Sequence, residues 1–596
     1  MSHYDSGLHS SLGASDAGSG VVTILEGVRA FLANGETPEN DIIILLTDGE
    51  ELGLLGAQAF VNYHPWASNI KVALNFEARG SGGPSYMILE TNGGNARLVE
   101  AFSKANLKHP AANSLMYSIY KLLPNDTDLT IFREDGDIQG YNFAFIDDHF
   151  DYHTQQDSFQ RLDRESLNHQ AEYLVALLDY FSNADLNQLK SESDLVYFNF
   201  PGIGMVNYPF SWVLGMTIIA FLLLLPVTYV ALKRQCVSVK AICVSFVPLI
   251  LSLITAAVIG YLGWQVLLWL FPQYADIPQN FTYNGCWITA SFISLIVATT
   301  LAIYQYFNKH CTPASLYFSA LIVWLLMNVA IALPGAGFLV MPVYFALTGL
   351  YLLVFYGNDG YNTRLITLLT MILALPIIML LAPFISALIV GLGLNAMAIG
   401  TVFTCLLVVI VAPMLFKTPE VSHLRNLMLL LSAGFMVVSI FESGYSPDRK
   451  KPNSINCIVD NDNDNKSAYW ASSNRTLDDF TQPFFSKQPS LLPWRYALYP
   501  HTIRNQVRHY QQALLLPLAA EVSITKNIVD GTQRHISLFI TPKRPLNLIQ
   551  LATFQHLEVK KLSVNGQVFT KHGVPIENTY NSGFSLSTSC HHHWKN

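Results

Sequence analysis

Stretches of about twenty nearly uninterrupted apolar residues, each long enough to cross a hydrocarbon core as a helix, set the layout of this chain. They lie near 209–232, 241–263, 286–307, 314–333, 337–356, 364–382, 398–416 and 424–441, which predicts eight spans. The second extends toward Phe271, and 383–397 reads as an interfacial or re-entrant piece. Ahead of this block, short apolar runs alternate with helical patterns. From Glu442 onward the chain turns polar again. The pattern predicts three domains, 1–190, 209–441 and 442–596.

Within the first domain, Ile42-Ile-Ile-Leu-Leu46 is apolar on both faces, as in a central parallel strand. It delivers a turn and two adjacent carboxylates, Glu50 and Glu51. Further strands are expected at 70–76, 86–90 and 141–146, and helices at 21–32, 52–63, 96–105 and 162–181, with a short helix start after Asn125. This alternation predicts a three-layer α/β domain with a mostly parallel sheet. Sites in such sheets fall at the strands' carboxyl ends. Beyond the membrane block, Ile536–Thr541 and Leu557–Val564 before Asn565-Gly566 predict β-structure with a hairpin.

Charge sharpens the layout. Only 13% of the 596 residues are charged and mean hydropathy is +0.31, as expected of a polytopic membrane protein. A net charge of −7 gives no reason to expect nucleic acid as a partner. The seven cysteines show no paired-ligand spacing. Lys233, Arg234 and Lys240 follow span one, Lys309 span three, Arg364 span five, and Lys417 and Arg425 span seven. The loops after spans two, four and six contain no Lys or Arg. By the positive-inside rule both polar domains face lumen, vacuole or periplasm. No export signal is visible ahead of the first span, and from this an N-terminally truncated chain is expected. The acids between 209 and 441 are Asp276, Asp359 and Glu420, all in loops. That disfavours a secondary transporter or an intramembrane protease, which carry ionisable groups inside the bilayer.

The candidate chemistry is concentrated early. His3-x-Asp5 suits a metal ligand with its orienting carboxylate. Asp16 sits in a Gly-rich loop, Gly13 to Gly20, that lacks the lysine and the spacing of phosphate-binding loops. Of two adjacent carboxylates, one can ligate a cation while the other takes a proton from water. The pieces His3-Tyr-Asp5-Ser, Gly13-Ala-Ser-Asp16-Ala-Gly-Ser-Gly, Asp48-Gly-Glu50-Glu51-Leu-Gly-Leu-Leu-Gly, Asn75-Phe-Glu77-Ala, Asn125-Asp-Thr-Asp and Tyr152-His153-Thr-Gln-Gln-Asp157 stand in this order. Together they resemble the zinc aminopeptidase family that also includes glutamate carboxypeptidase and glutaminyl cyclase. The resemblance implies a two-zinc site in which Asp16 bridges the metals. His3 and Glu77 would complete one zinc, and Glu51 and His153 the other. Glu50 would be the general base, and Asp5 would orient His3. Asp157 reads as a cap for the next helix, and Tyr117 and Tyr120 as wall or core residues, either of which could steady an oxyanion.

Two departures are visible. Glu77 stands where many soluble aminopeptidases have Asp, although membrane-anchored relatives resemble this chain there. Family members also have strands before the first His, and here two residues precede it. Near the other end, Asp460-Asn-Asp-Asn-Asp464-Asn lacks the Gly and distal Glu of a calcium loop and reads as a solvated loop. His591 to His593 reads as a tail. The layout resembles the vacuolar membrane protease and endoplasmic reticulum metallopeptidase type. The expected function is a membrane-bound di-zinc exopeptidase, an aminopeptidase acting on peptides outside the cytoplasm. The alternatives are a glutaminyl-cyclase-like acyltransferase and a non-catalytic scaffold or transporter.

Overall fold

Short buried strands and amphipathic helices alternate through the first 181 residues of the computed structural model. It describes residues 1–7, 11–33, 35, 37–121, 126–277, 280–330, 334–356, 363–414, 420–453, 455–462, 465–485, 509–512, 521–541, 548–552, 562–564, 567–569 and 585–589. Asn125, Asp359, Lys417, Asn565-Gly566, His591 to His593 and part of the Asp460 to Asn465 run lie outside these residues. The chain forms two compact units, Met1–Lys450 and Lys451–Asn596.

The first unit begins with β1 (Ser2–His3), α1 (Gly18–Ala33), β2 (Leu46–Thr47), α2 (Leu55–Tyr63), β3 (Ala73–Ala78), β4 (Gly82–Glu90), α3 (Ala96–Lys104), α4 (Ser114–Tyr120), α5 (Asp128–Gly136), β5 (Gly140–Asp147) and α6 (Arg164–Phe181). β1 pairs parallel with β2, and β3 pairs parallel with β5, whose other edge takes β4 antiparallel. The Phe76 N–H donates to the Met1 carbonyl at 3.0 Å, which joins β1 to β3. α1, α3 and α6 bury Ile24, Phe102, Tyr173 and Leu177 against Phe76, Tyr141 and Phe143. α2 and α5 bury Phe60, Leu129 and Phe132 in a separate cluster with Ala73 of β3. The result is three layers.

One expected strand is corrected. The Ile42–Leu46 run is not a buried central strand: β2 is only Leu46–Thr47, and Ile42, Ile43 and Ile44 are exposed. Among the described residues β2 pairs with β1 alone, so the run has no second ladder to join and nothing to cover both its faces.

A hairpin of β6 (Leu195–Phe200) and β7 (Gly204–Pro209) leads into the apolar helices α7 (Ser211–Lys233), α8 (Val239–Leu270), α9 (Cys286–Tyr306), α10 (Pro313–Ala330), α11 (Val340–Tyr356), α12 (Thr363–Leu392), α13 (Met397–Val411) and α14 (Glu420–Glu442). Among the described residues seven stretches are long and apolar enough to cross a membrane, those of α11 and α13 counted from Gly335 and Leu394 with the 3-10 turns that precede them; the shorter apolar stretch is Pro313–Val329 of α10. The expected interfacial piece at 383–397 is instead largely α12, which continues through Pro376 and Pro383 to Leu392. Proline is tolerated inside such a helix where packed neighbours compensate the lost backbone bond.

The α/β layers rest directly on these helices. Ser114 Oγ donates to the Gly335 carbonyl at 2.8 Å, and the Tyr208 hydroxyl to that of Gly337 at 3.0 Å. A Cβ on Gly335 would lie 2.3 Å from Ser118 Oγ and 2.4 Å from the Ser114 carbonyl, so this approach requires glycine. Leu115, Val196 and Phe198 share one apolar cluster with Phe338 and Phe384. In the loop after β5, the Phe150 ring meets Tyr283 at 4.2 Å, and Arg161 lies over both rings.

The second unit is β-structured. β8 (Asn456–Asp462), β9 (Asn465–Ser472) and β10 (His509–Gln512) form an antiparallel sheet in the order β10-β9-β8. β11 (Glu521–Asp530) and β12 (Gln533–Thr541) form a hairpin, the latter holding the expected Ile536–Thr541 strand. β13 (Leu548–Ala552) pairs with β16 (Ser585–Ser589), and β14 (Leu562–Val564) with β15 (Gln567–Phe569).

Candidate active site

Parallel strands bring their carboxyl ends to one edge, and the chemistry gathers there. His3 closes β1. Glu50 and Glu51 follow β2 through a turn in which Gly49 takes φ 69°, a left-handed value that glycine accepts freely. Glu77 is the penultimate residue of β3, and His153 follows β5 after a short 3-10 turn.

All the residues singled out from sequence as ligands, base or orienter meet in this place. His3 Nε2 lies 3.3 Å from Asp16 Oδ1 and 3.3 Å from Glu77 Oε2, with Glu50 Oε2 at 4.0 Å. His153 Nε2 lies 3.2 Å from Asp16 Oδ2 and 2.8 Å from Glu51 Oε1. The two oxygens of Asp16 thus face two imidazoles. Ligand atoms of His3, Glu50 and Glu77 form one group within 4.8 Å of one another, and those of Asp16, Glu51 and His153 form a second. Asp5 ties the parts together. Its carboxylate accepts the N–H groups of Glu50 and Glu51, both at 3.2 Å, and its Oδ1 stands 3.3 Å from His3 Nδ1.

The electrostatics describe a site crowded with negative charge. Burial, then the Glu77 carboxylate, push Glu50 up to about 10. Burial lifts Glu51 to about 7, against the pull of His153. Burial opposes charge on both histidines, yet the carboxylates outweigh it. They raise His153 to about 9 and His3 far above the usual imidazole range. Asp16 is held below the ordinary carboxylate range because its two imidazole partners outweigh its burial. Glu51 Oε1 is buried without a well-formed hydrogen bond although His153 Nε2 is 2.8 Å away. Two groups of imidazole nitrogens and carboxylate oxygens, each within 4.8 Å, match the ligand chemistry of zinc.

Further residues hold this arrangement. Asp157 does not cap the next helix; Asp163 does, accepting the Ser166 N–H at 2.8 Å. The Asp157 carboxylate instead accepts the N–H groups of Ser15 at 2.7 Å and Asp16 at 3.1 Å, fixing the loop that aims Asp16. Sequence reading misplaced it because it lies at a helical-start spacing, while its partners are some 140 residues earlier. Asn75 was quoted only as part of a motif, yet its Nδ2 donates to Glu77 Oε1 at 2.9 Å. Asp128 accepts from the Thr47 hydroxyl and so steadies the end of β2. His153 itself has φ 56°, and Tyr152 stacks on its ring at 3.7 Å. A non-glycine residue held left-handed is strained and recurs at functional sites.

A cavity of about 240 Å³ opens onto Asp16, Glu50 and Glu77. Tyr120 lines it and Tyr117 does not. A larger cleft of about 1440 Å³ meets it at Met116, Phe384 and Ala387 but carries none of the converging ligand residues.

Residues 1–178 match Peptidase family M28. The chain is 32% identical over 212 residues to endoplasmic reticulum metallopeptidase 1 of Rattus norvegicus, which is 35% of this chain and 23% of the rat protein. It is 34% identical over 202 residues to the vacuolar membrane protease of Candida dubliniensis, 34% of this chain and 21% of that one. Against the Yarrowia lipolytica protein of the same name the identity is 32% over 185 residues, 31% and 18% of the two chains. The match thus spans less than a quarter of the length of these relatives. Fold and site define a metallopeptidase type of domain joined to apolar helices of membrane-spanning length. The similarity to peptidase family M28 is confined to the N-terminal domain, residues 1–178.

Proposed function

We propose that this chain is a membrane-bound di-zinc exopeptidase, an aminopeptidase whose peptidase domain lies outside the cytoplasm. The observation that carries this reading is the double cluster centred on Asp16, with Glu50 beside it in the wall of a small cavity. His3 and Glu77 would hold one zinc, Glu51 and His153 the other, and Asp16 both. When bound, zinc supplies Lewis acidity toward water and the scissile carbonyl. Glu50, acting as the carboxylate, takes the proton of the attacking water and returns it to the leaving amine; burial and the Glu77 carboxylate raise its affinity for that proton. Asp5 keeps His3 in one tautomer and fixes the turn carrying Glu50 and Glu51.

The small cavity supports exopeptidase action, since it has room for a chain end rather than a long segment. Asp126 in its wall offers an anionic partner to a protonated amino terminus. Arg79 in the same wall favours a second reading, release of a C-terminal residue. The test is metal content together with hydrolysis of aminoacyl amides and of N-acetylated peptides by the purified chain. Two zincs and cleavage of free-amine substrates only establish the proposal. Cleavage of the N-acetylated peptides replaces it with the second reading, and bound metal without any turnover refutes an enzymatic role.

A further inference from the structure

The helix α12 is too long to be only a membrane span. Its 30 residues extend about 45 Å, against a hydrocarbon core of about 30 Å. Roughly ten residues therefore project beyond the bilayer. The projecting end is the C-terminal one, because Phe384, Ala387, Leu388, Gly391 and Leu392 line the cavity that also exposes Asp16, Glu50 and Glu77. The helix is firmly seated there. The Phe384 ring is packed between Phe338, at 5.5 Å, and Phe403, at 5.5 Å, both from neighbouring membrane elements.

We infer that this end of α12 is the specificity wall of the peptidase site. It selects substrates with a bulky apolar side chain, leucine- or phenylalanine-like, next to the bond that is cut. The inference rests on the peptidase reading above. Its argument is chemical complementarity: the catalytic side of the cavity is acidic, while the α12 side offers side chains without a polar atom. Burying an apolar group against such a wall is favourable, and placing a lysine or a carboxylate there strands a charge without a partner. At Gly391 the helix leaves open space. A Cβ there would meet only Ile146 Cδ1, at 3.8 Å, an ordinary contact. A larger side chain at 391 would grow into the space that a substrate side chain needs.

The full chain, loaded with zinc in a lipid nanodisc, is assayed on leucine, phenylalanine, alanine and lysine aminomethylcoumarin amides, beside Gly391→Ala, Gly391→Leu and Leu388→Ala. Direct binding of free leucine and alanine by calorimetry provides a readout independent of turnover. The expected wild-type kcat/KM favours leucine and phenylalanine over lysine by at least about tenfold. Along the series glycine, alanine, leucine at 391, the leucine-to-alanine preference falls stepwise, by about tenfold or more overall, in turnover and in binding alike. Leu388→Ala moves the preference toward phenylalanine. Gly391→Ala, which the local space accommodates, keeps the series informative if Gly391→Leu folds poorly. Activity with an unchanged preference across the variants overturns the specificity wall and leaves the peptidase reading standing. A wild-type chain that binds zinc but neither cleaves the amides nor binds leucine overturns both.

Discussion

Because Glu50 is surrounded by burial and the Glu77 carboxylate, while Glu51 points at His153, two neighbours in sequence acquire different tasks. Glu50→Gln keeps the shape and removes the proposed base. It is expected to lower turnover by about 10²–10⁴-fold while zinc content, read by elemental analysis, stays at the wild-type value. Loss of metal together with activity would show that Glu50, which groups with His3 and Glu77, is instead a ligand. Asp157 acts at one remove. Its two backbone hydrogen bonds hold Ser15 and Asp16, so Asp157→Ala frees the loop without touching a ligand atom. Zinc affinity, measured by competition with a chromophoric chelator, is expected to weaken by about 10–100-fold. Asp157→Asn, which keeps one acceptor, should recover part of it. At Gly7 a Cβ would come within 2.8 Å of the His153 ring, so even alanine there should disturb the second ligand group.

At the level of elements, the loop after β5 joins peptidase layers to membrane helices, and it buries a histidine to do so. His149 is 1% exposed, lies near the Phe281 ring, and both ring nitrogens lack a hydrogen-bond partner among the described residues. Burial, then the charge of Arg79, lower it to about 3. The sign follows from proton binding. Between about pH 3 and the ordinary value of 6.5 the unfolded chain holds a proton there that the folded chain does not. Stability is therefore lost progressively as pH falls below 6.5. In His149→Leu this acid loss should disappear, so that thermal midpoints of variant and wild type converge near neutrality and separate in the variant's favour toward pH 4. Parallel curves would show that the ring is protonated in the fold. The same element scale shows what was legible in sequence. The turns carrying His3, Glu50, Glu77 and His153 were readable because residue type and strand-end position coincide within a few residues. The Ile42–Leu46 run misled because apolar composition speaks for burial, whereas burial depends on a neighbouring strand that the run's own residues do not encode. The bound at 382 misled because hydropathy marks a stretch long enough to span and not where the helix stops: α12 runs on to Leu392, with Phe384 packed against Phe338 and Phe403.

For the peptidase and membrane unit as a whole, the geometry bears on how many times the chain crosses. The peptidase layers enter α7 through β7, and at that end Phe150 meets Tyr283, just before α9. The segment after α14 returns to the same place: the Tyr283 hydroxyl donates to the Lys450 carbonyl at 2.9 Å, and the Tyr445 hydroxyl to that of Gln273 at 3.1 Å. A bundle that starts and ends on one side crosses an even number of times. α10, at 18 residues, is about 27 Å long and only just falls short of the hydrocarbon thickness. Counting it as a crossing gives eight passes with the seven other apolar stretches. Lys233, Arg234, Lys240 and Lys309 then sit at the ends remote from the peptidase domain, as the positive-inside rule requires of a domain outside the cytoplasm. Two thiols report on this arrangement. Cys286, exposed at the start of α9, belongs to the peptidase side, and Cys236, after α7, to the remote side. In sealed vesicles whose cytoplasmic face is outward, a membrane-impermeant maleimide should label Cys236 and reach Cys286 only after permeabilisation. Labelling of both thiols in intact vesicles would mean an even number of crossings between them, as when α8 does not span. A reversed pattern would place the peptidase domain, and with it the substrate, on the cytoplasmic face.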